Sequence, residues 1–164
     1  MRVLLALAGI VLVVAGCGAA TAASPPRTSS VGSPGVFMTR ILREEIHGQW
    51  GLQWKALHPA HQKLISEAQY VACSSRMGTD FATGDEVFRV LDVRTEKIEV
   101  RGVPERVSKL VTVTFHHPGK QNGLTYRMHA VNVKGHWAWI LGDKFLSALA
   151  RGRCLDGSPL RASA

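Results

Sequence analysis

Apolar residues recur at steps of three and four between Met38 and Leu57, and at steps of two beyond Gly78. That change of period constrains the fold more than any other feature, because helices and strands bury their apolar faces differently. Met38, Ile41, Leu42, Ile46, Trp50, Trp54 and Leu57 form the stripe of one helix running from about Val36. Arg40, Arg43, Glu44, His47 and Lys55 lie largely off it. Gly48 and Gly51 each cost about 1 kcal/mol relative to Ala in a helix, and are placed to thin one face where another element crosses. Pro59 pushes His58 out of the α region, so this helix ends near Leu57. The same proline suits the first turn of a second helix, through Ile65. Ser66-Glu67-Ala68-Gln69 has the form of a capping box, with Ile65 and Tyr70 set as a hydrophobic staple. It predicts a third, short helix from Glu67 to about Arg76, carrying Cys73 and stopped by Gly78.

Beyond Gly78, Lys97–Arg101 alternates, as does Val107–Phe115, with Val107, Val111, Val113 and Phe115 on one face and Ser108, Thr112 and Thr114 on the other. The turn cluster Pro118–Gly123 leads to a strand over Leu124–Val133, and Lys134-Gly135 makes a tight connection to Trp137–Leu141. Four antiparallel strands in a meander, starting near Val87, account for this pattern. Asp143 is read as the cap of a last helix, Lys144 to Arg151, closed by Gly152. Helices first and a meander second give an α+β domain, with helices on one face of a curved sheet.

The first residues read as an address. Arg2 precedes an apolar run from Val3 to Val14, and Val14-Ala15-Gly16-Cys17 resembles a bacterial lipobox. The resemblance implies cleavage after residue 16, a diacylglycerol on the Cys17 sulfur, and an extracytoplasmic domain held at the cell membrane. A membrane span needs about 20 apolar residues, and this run is shorter. Residues 17–35 then form the lipidated cysteine and a tether rich in Ala, Ser, Pro and Gly, which cannot bury enough apolar area to order itself. As a flexible coil its reach is about 24 Å. The globular domain is expected over 36–155, with 156–164 a disordered tail.

Charge and cysteines narrow the partners. Lys and Arg number 20 against 12 Asp and Glu, a net charge of +8, and loss of Arg2 on processing lowers it by one. The excess suits anionic surfaces, but it is scattered rather than gathered in a nucleic-acid arm, and export argues against nucleic acid further. With Cys17 carrying lipid, Cys73 and Cys154 fit one disulfide in an oxidising compartment, the alternative being two separate buried thiols.

One resemblance spans nearly the whole domain. Trp50, Trp54, Leu57-His58-Pro59-Ala60-His61, Tyr70-x-x-Cys73, Val90-Leu91-Asp92-Val93, Gly135-His136-Trp137-Ala138-Trp139-Ile140-Leu141 and Cys154 occur in this order. The set is similar to the small secreted NTF2-like (nuclear transport factor 2-like) domains of lipoproteins in high-GC Gram-positive bacteria. The resemblance implies a cone-shaped domain with a helix-lined pocket against the sheet. Relatives on this fold include isomerases, dehydratases and cyclases that use an acidic residue or an Asp/His pair in the cone.

Candidate site residues follow. Trp137 and Trp139 share a strand face, as do Tyr126 and Met128, while Trp50 and Trp54 share a helix face. If those faces oppose, these side chains build the core or line its pocket. Asp92, which interrupts an apolar strand, and His129 are the weak catalytic candidates, since proton transfer needs a carboxylate or imidazole held in an apolar pocket. No metal site is expected: His116 and His117 point to opposite faces, and nothing completes a set around His58, His61, His129 or His136. No motif calls for a cofactor. These residues suit a non-enzymatic binding protein, for a partner protein or a small apolar ligand, with a cone-pocket enzyme as the alternative.

Overall fold

The computed structural model describes residues 32–77, 84–117 and 123–160. Cys17 and most of the stretch expected as export signal and tether lie outside them. Five α-helices and four strands occur in the described residues. The first helix, α1 (Pro34–Ile46), is capped by the Ser33 hydroxyl, which accepts from Val36 N–H at 3.2 Å, and carries its proline in the first turn. It therefore begins inside the stretch expected as tether. The single helix expected through Leu57 is broken. Gly48 adopts φ +67°, a left-handed conformation that costs glycine little, and a second helix, α2 (Trp50–Lys55), starts afresh. Glu44, assigned to the outer face, is 5% exposed and pairs with Arg40 at 2.7 Å.

His58 caps α3 (Pro59–Leu64), its Nδ1 accepting from Ala60 N–H at 3.2 Å. At α4 (Glu67–Ser74) both halves of the capping box form: Gln69 N–H donates to the Ser66 hydroxyl, and Ser66 N–H donates to the Gln69 side-chain oxygen Oε1. A 3₁₀ turn, Ser75–Met77, follows. A Cβ on Gly51 would come within 2.9 Å of the Glu67 carboxylate, so α2 and α4 pass closely there.

The sheet is an antiparallel meander in the order β1 (Val87–Val100), β2 (Val103–His116), β3 (Leu124–Val133), β4 (His136–Trp139). Lys134 and Gly135, both at positive φ, make the two-residue turn between β3 and β4. Irregularities in the β1–β2 register between Val90 and Asp92, and between Ile98 and Val100, mark places where such a pair bends. Val111 pairs with Met128 and Val113 with Tyr126, which puts these four on one face. That face packs against Met38, Ile41 and Leu42 of α1 to make the main core. A smaller cluster joins Val103, Val131 and Ile140.

Other expectations need correction. Val107, grouped on one face with Val111, Val113 and Phe115, is 58% exposed where they are buried, while Ser108 of the other face is buried. The Ser108 hydroxyl donates to Glu96 O at 3.2 Å and lies 3.0 Å from His129 Nδ1, so its burial leaves no polar atom stranded. The last strand stops at Trp139 rather than Leu141. Its outer edge is covered by residues 56–58: His58 N–H donates to Trp139 O, and Trp139 N–H to Ala56 O. In α5 (Asp143–Ala150) Gly142 is the cap, and Asp143 is the first helical residue, complementing the helix dipole instead. The tail is ordered through Leu160, where Cys154 N–H donates to Ser158 O, Leu160 N–H to Gly152 O, and the Arg76 guanidinium to the Ser158 hydroxyl. The remainder, 161–164, lies outside the described residues.

Cys73 and Cys154 are bonded, their Cα atoms 5.2 Å apart across a sequence separation of 81 residues. The bond ties the end of α4 to the segment after α5. Replacing both cysteines by serine should cost about 2–5 kcal/mol in denaturant unfolding, and non-reducing peptide maps should contain the Cys73–Cys154 linked peptide. Free thiols in the protein purified without reductant, or an unchanged unfolding midpoint in the double variant, would contradict the assignment.

Candidate functional site

Between the helices and the sheet lies a cavity of about 400 Å³, within the range of small-molecule sites. Each element contributes to it through its own periodicity. Strand alternation turns Tyr126 and Met128 of β3 inward, and the end of β4 adds Trp139. Helix α2 supplies Trp50, α4 supplies Tyr70, and α5 supplies Phe145. Arg127, Gly142 and Asp143 belong to the wall yet are exposed, and so mark the mouth.

Two aromatic polar groups are already committed to one buried residue. The Tyr70 hydroxyl donates to the Gln53 side-chain oxygen at 2.7 Å, and the Trp139 indole N–H donates to the Gln53 carbonyl at 2.9 Å. Gln53 is 1% exposed, and its own amide donates to Ile41 O at 2.8 Å. With those groups satisfied, Tyr70 and Trp139 present carbon to the cavity. Tyr70 meets Trp139 edge-on at 6.2 Å and Phe145 tilted at 6.0 Å, geometries in which aromatic pairs attract.

Into this apolar surround α1 places the carboxylate of Glu45, half-buried. Burial pushes its pKa above the usual carboxylate range, and the Gln53 side chain draws it partway back. None of the ion pairs among the described residues includes it. Its charge is felt by both tyrosines: Tyr70 is raised chiefly by burial, and the Glu45 charge adds to this. The same two causes raise Tyr126. His129, also in the wall, is pushed down by burial, so near neutral pH its ring is uncharged.

The residues singled out in the sequence divide. Trp50, Tyr126, Met128 and Trp139 line the cavity together with His129. Trp54 and Trp137 pack against the main core without lining it. The Trp137 indole N–H instead donates to Gly32 O, ahead of α1. Asp92 stands apart: it is exposed on β1 at the bulge and pairs with Arg94 at 2.7 Å. The catalytic role considered for Asp92 therefore has no apolar pocket to act in. Glu45, Gln53 and Phe145 were not singled out, although Glu45 follows Ile41 by four and Leu42 by three, the spacing of the stripe itself.

The two helix histidines brace the structure. His61, fully buried, accepts from Leu141 N–H on Nδ1 at 3.3 Å, which leaves Nε2–H to donate to Arg101 O at 3.1 Å. Burial lowers its pKa, consistent with that neutral ring. His58 is held down to about 4 by burial and the neighbouring Arg106. Among the described residues no three His, Cys, Asp or Glu side chains gather into a metal set. No helix among them is long and apolar enough to cross a membrane.

No protein-family model, curated protein or solved structure matches the chain. What the site can do must be read from its chemistry: an aromatic cavity, the half-buried Glu45 carboxylate, with which no Lys or Arg among the described residues pairs, and the Tyr126 phenol.

Proposed function

We propose that this chain is a lipid-anchored, extracytoplasmic binding protein that holds a small, mainly apolar molecule in the cavity between its helices and sheet, without chemical conversion. The observation that carries the ligand reading is the cavity itself, about 400 Å³ with walls from Trp50, Tyr70, Tyr126, Met128, Trp139 and Phe145. Side chains of this kind ordinarily fill a core, and here they leave room. The domain is assigned to the NTF2-like cones, in keeping with its antiparallel meander and helices packed on one sheet face. Anchoring rests on Val14-Ala15-Gly16-Cys17, and the Cys73–Cys154 bond suits an oxidising compartment.

A second reading, an enzyme of the same fold class, is favoured by one observation. Glu45 is a half-buried carboxylate with a raised pKa in an apolar pocket, the state a general base needs. This role falls to Glu45 rather than to Asp92 or His129. It gains over simple binding if Glu45→Gln abolishes the cellular role while binding of a neutral ligand persists.

Two measurements check the main reading. N-phenyl-1-naphthylamine, a neutral apolar fluorophore, should bind saturably and quench tryptophan emission. Met128→Trp, which adds bulk inside the cavity, should weaken that binding about tenfold or more with little change in Tm. Absence of saturable binding, or equal binding by the filled variant, would overturn the cavity reading. For the anchor, mass spectrometry of membrane-extracted protein should find a diacylglycerol adduct on an N-terminal Cys17, and an unmodified mature N-terminus elsewhere would overturn it.

A further inference from the structure

We propose that the ligand of this cavity carries a positive charge, as an amine or quaternary ammonium group on an apolar body, received by Glu45 among the rings of Trp50, Tyr70, Tyr126 and Trp139. The inference rests on the cavity being a ligand site, and it goes further by naming the chemistry of the ligand.

Charge is the first support. The chain as a whole is strongly basic, at +8, yet the charged wall residues of the cavity are Glu45 and Asp143 against Arg127, with His129 neutral near pH 7. The pocket opposes the sign of the molecule that contains it. Arg127 and Asp143 are both exposed at the mouth, where solvent screens them, so Glu45 is the deepest of these charges. A carboxylate drawn into an apolar site without a partner is unfavourable, and no Lys or Arg pairs with Glu45 among the described residues. A cationic ligand would supply the missing partner.

The walls are the second support. Cations are attracted to the faces of aromatic rings, and cages of such rings are the usual means of holding quaternary ammonium groups. Trp139 and Tyr70 have turned their polar atoms to Gln53, so they offer ring carbon rather than competing donors. A cation needs no donors from the protein. An anionic ligand would meet the Glu45 carboxylate in the interior, and the guanidinium of the wall, Arg127, lies at the exposed mouth.

The test compares benzyltrimethylammonium with its neutral isostere neopentylbenzene and with the anion benzylsulfonate. Each competes with N-phenyl-1-naphthylamine on the full-length mature protein near pH 7.5. The cation should displace the probe at a concentration at least about tenfold lower than the isostere, and the anion should be the weakest. Glu45→Gln should bring cation and isostere within about two- to threefold of each other, each competition being referred to the probe affinity measured for that variant. Trp139→Phe, which keeps a ring but weakens its face, should reduce the cation's advantage in part. Equal competition by cation and isostere, with the probe still bound, overturns the inference and leaves the cavity reading standing. A preference for the neutral isostere or the anion also overturns it. Failure of the probe itself to bind overturns both.

Discussion

The domain is pinned at Gln53. Through its side-chain amide it reaches α1 at Ile41, through its side-chain oxygen α4 at Tyr70, and through its carbonyl β4 at Trp139. Each bond lies in the interior, where an unmade partner costs about 1–3 kcal/mol, so the four elements hold one another in register. The cavity is a consequence. Because the Tyr70 hydroxyl and Trp139 indole are drawn towards Gln53, their rings stand as walls instead of collapsing across the space. Tyr70 then supports Phe145 of α5, and the Cys73–Cys154 bond keeps the end of α4 tied to the chain beyond α5.

Glu45 stands out against this fully paired neighbour. Two residues of similar shape but different charge meet opposite fates: Gln53 has its side chain bonded on both atoms, whereas the Glu45 carboxylate has partial support from Gln53. The contrast leaves Glu45 as the half-buried carboxylate of the cavity wall with which no Lys or Arg among the described residues pairs. Sites with perturbed titration often serve function, and the cation proposal gives that general tendency a specific form here.

Much of the fold was legible because its signals are local. The Ser66–Gln69 capping box, the proline start of α3 and the Lys134-Gly135 turn each depend on a few adjacent residues, and each forms. The break at Gly48 was not legible from periodicity, because the apolar steps continue through it to Trp50 and Leu57, so one stripe serves two helices. Glu45 and Gln53 were passed over for a related reason. Both occupy stripe positions, and a polar residue there reads as an interruption until its partners, distant in sequence, are known. The separation of Trp50 and Trp139 from Trp54 and Trp137 likewise depends on how the helices sit on the sheet, which alternation alone does not determine. The tail to Leu160 is ordered by Arg76 and by its own turn, long-range and backbone contacts that composition does not record.

Whether the Glu45 carboxylate is uncompensated within the protein is tested most directly by the stability of Glu45→Gln relative to the native chain as a function of pH. A carboxyl whose pKa is raised on folding lends stability while protonated, fully so below its unfolded value near pH 4, and loses it as pH rises through the folded value. Without ligand, the variant should therefore melt at a higher temperature than the native protein near pH 7, with the difference shrinking towards about pH 4. A variant that is less stable at neutral pH, by a margin that closes on acidification, would show that the carboxylate is already compensated within the protein and would contradict the account.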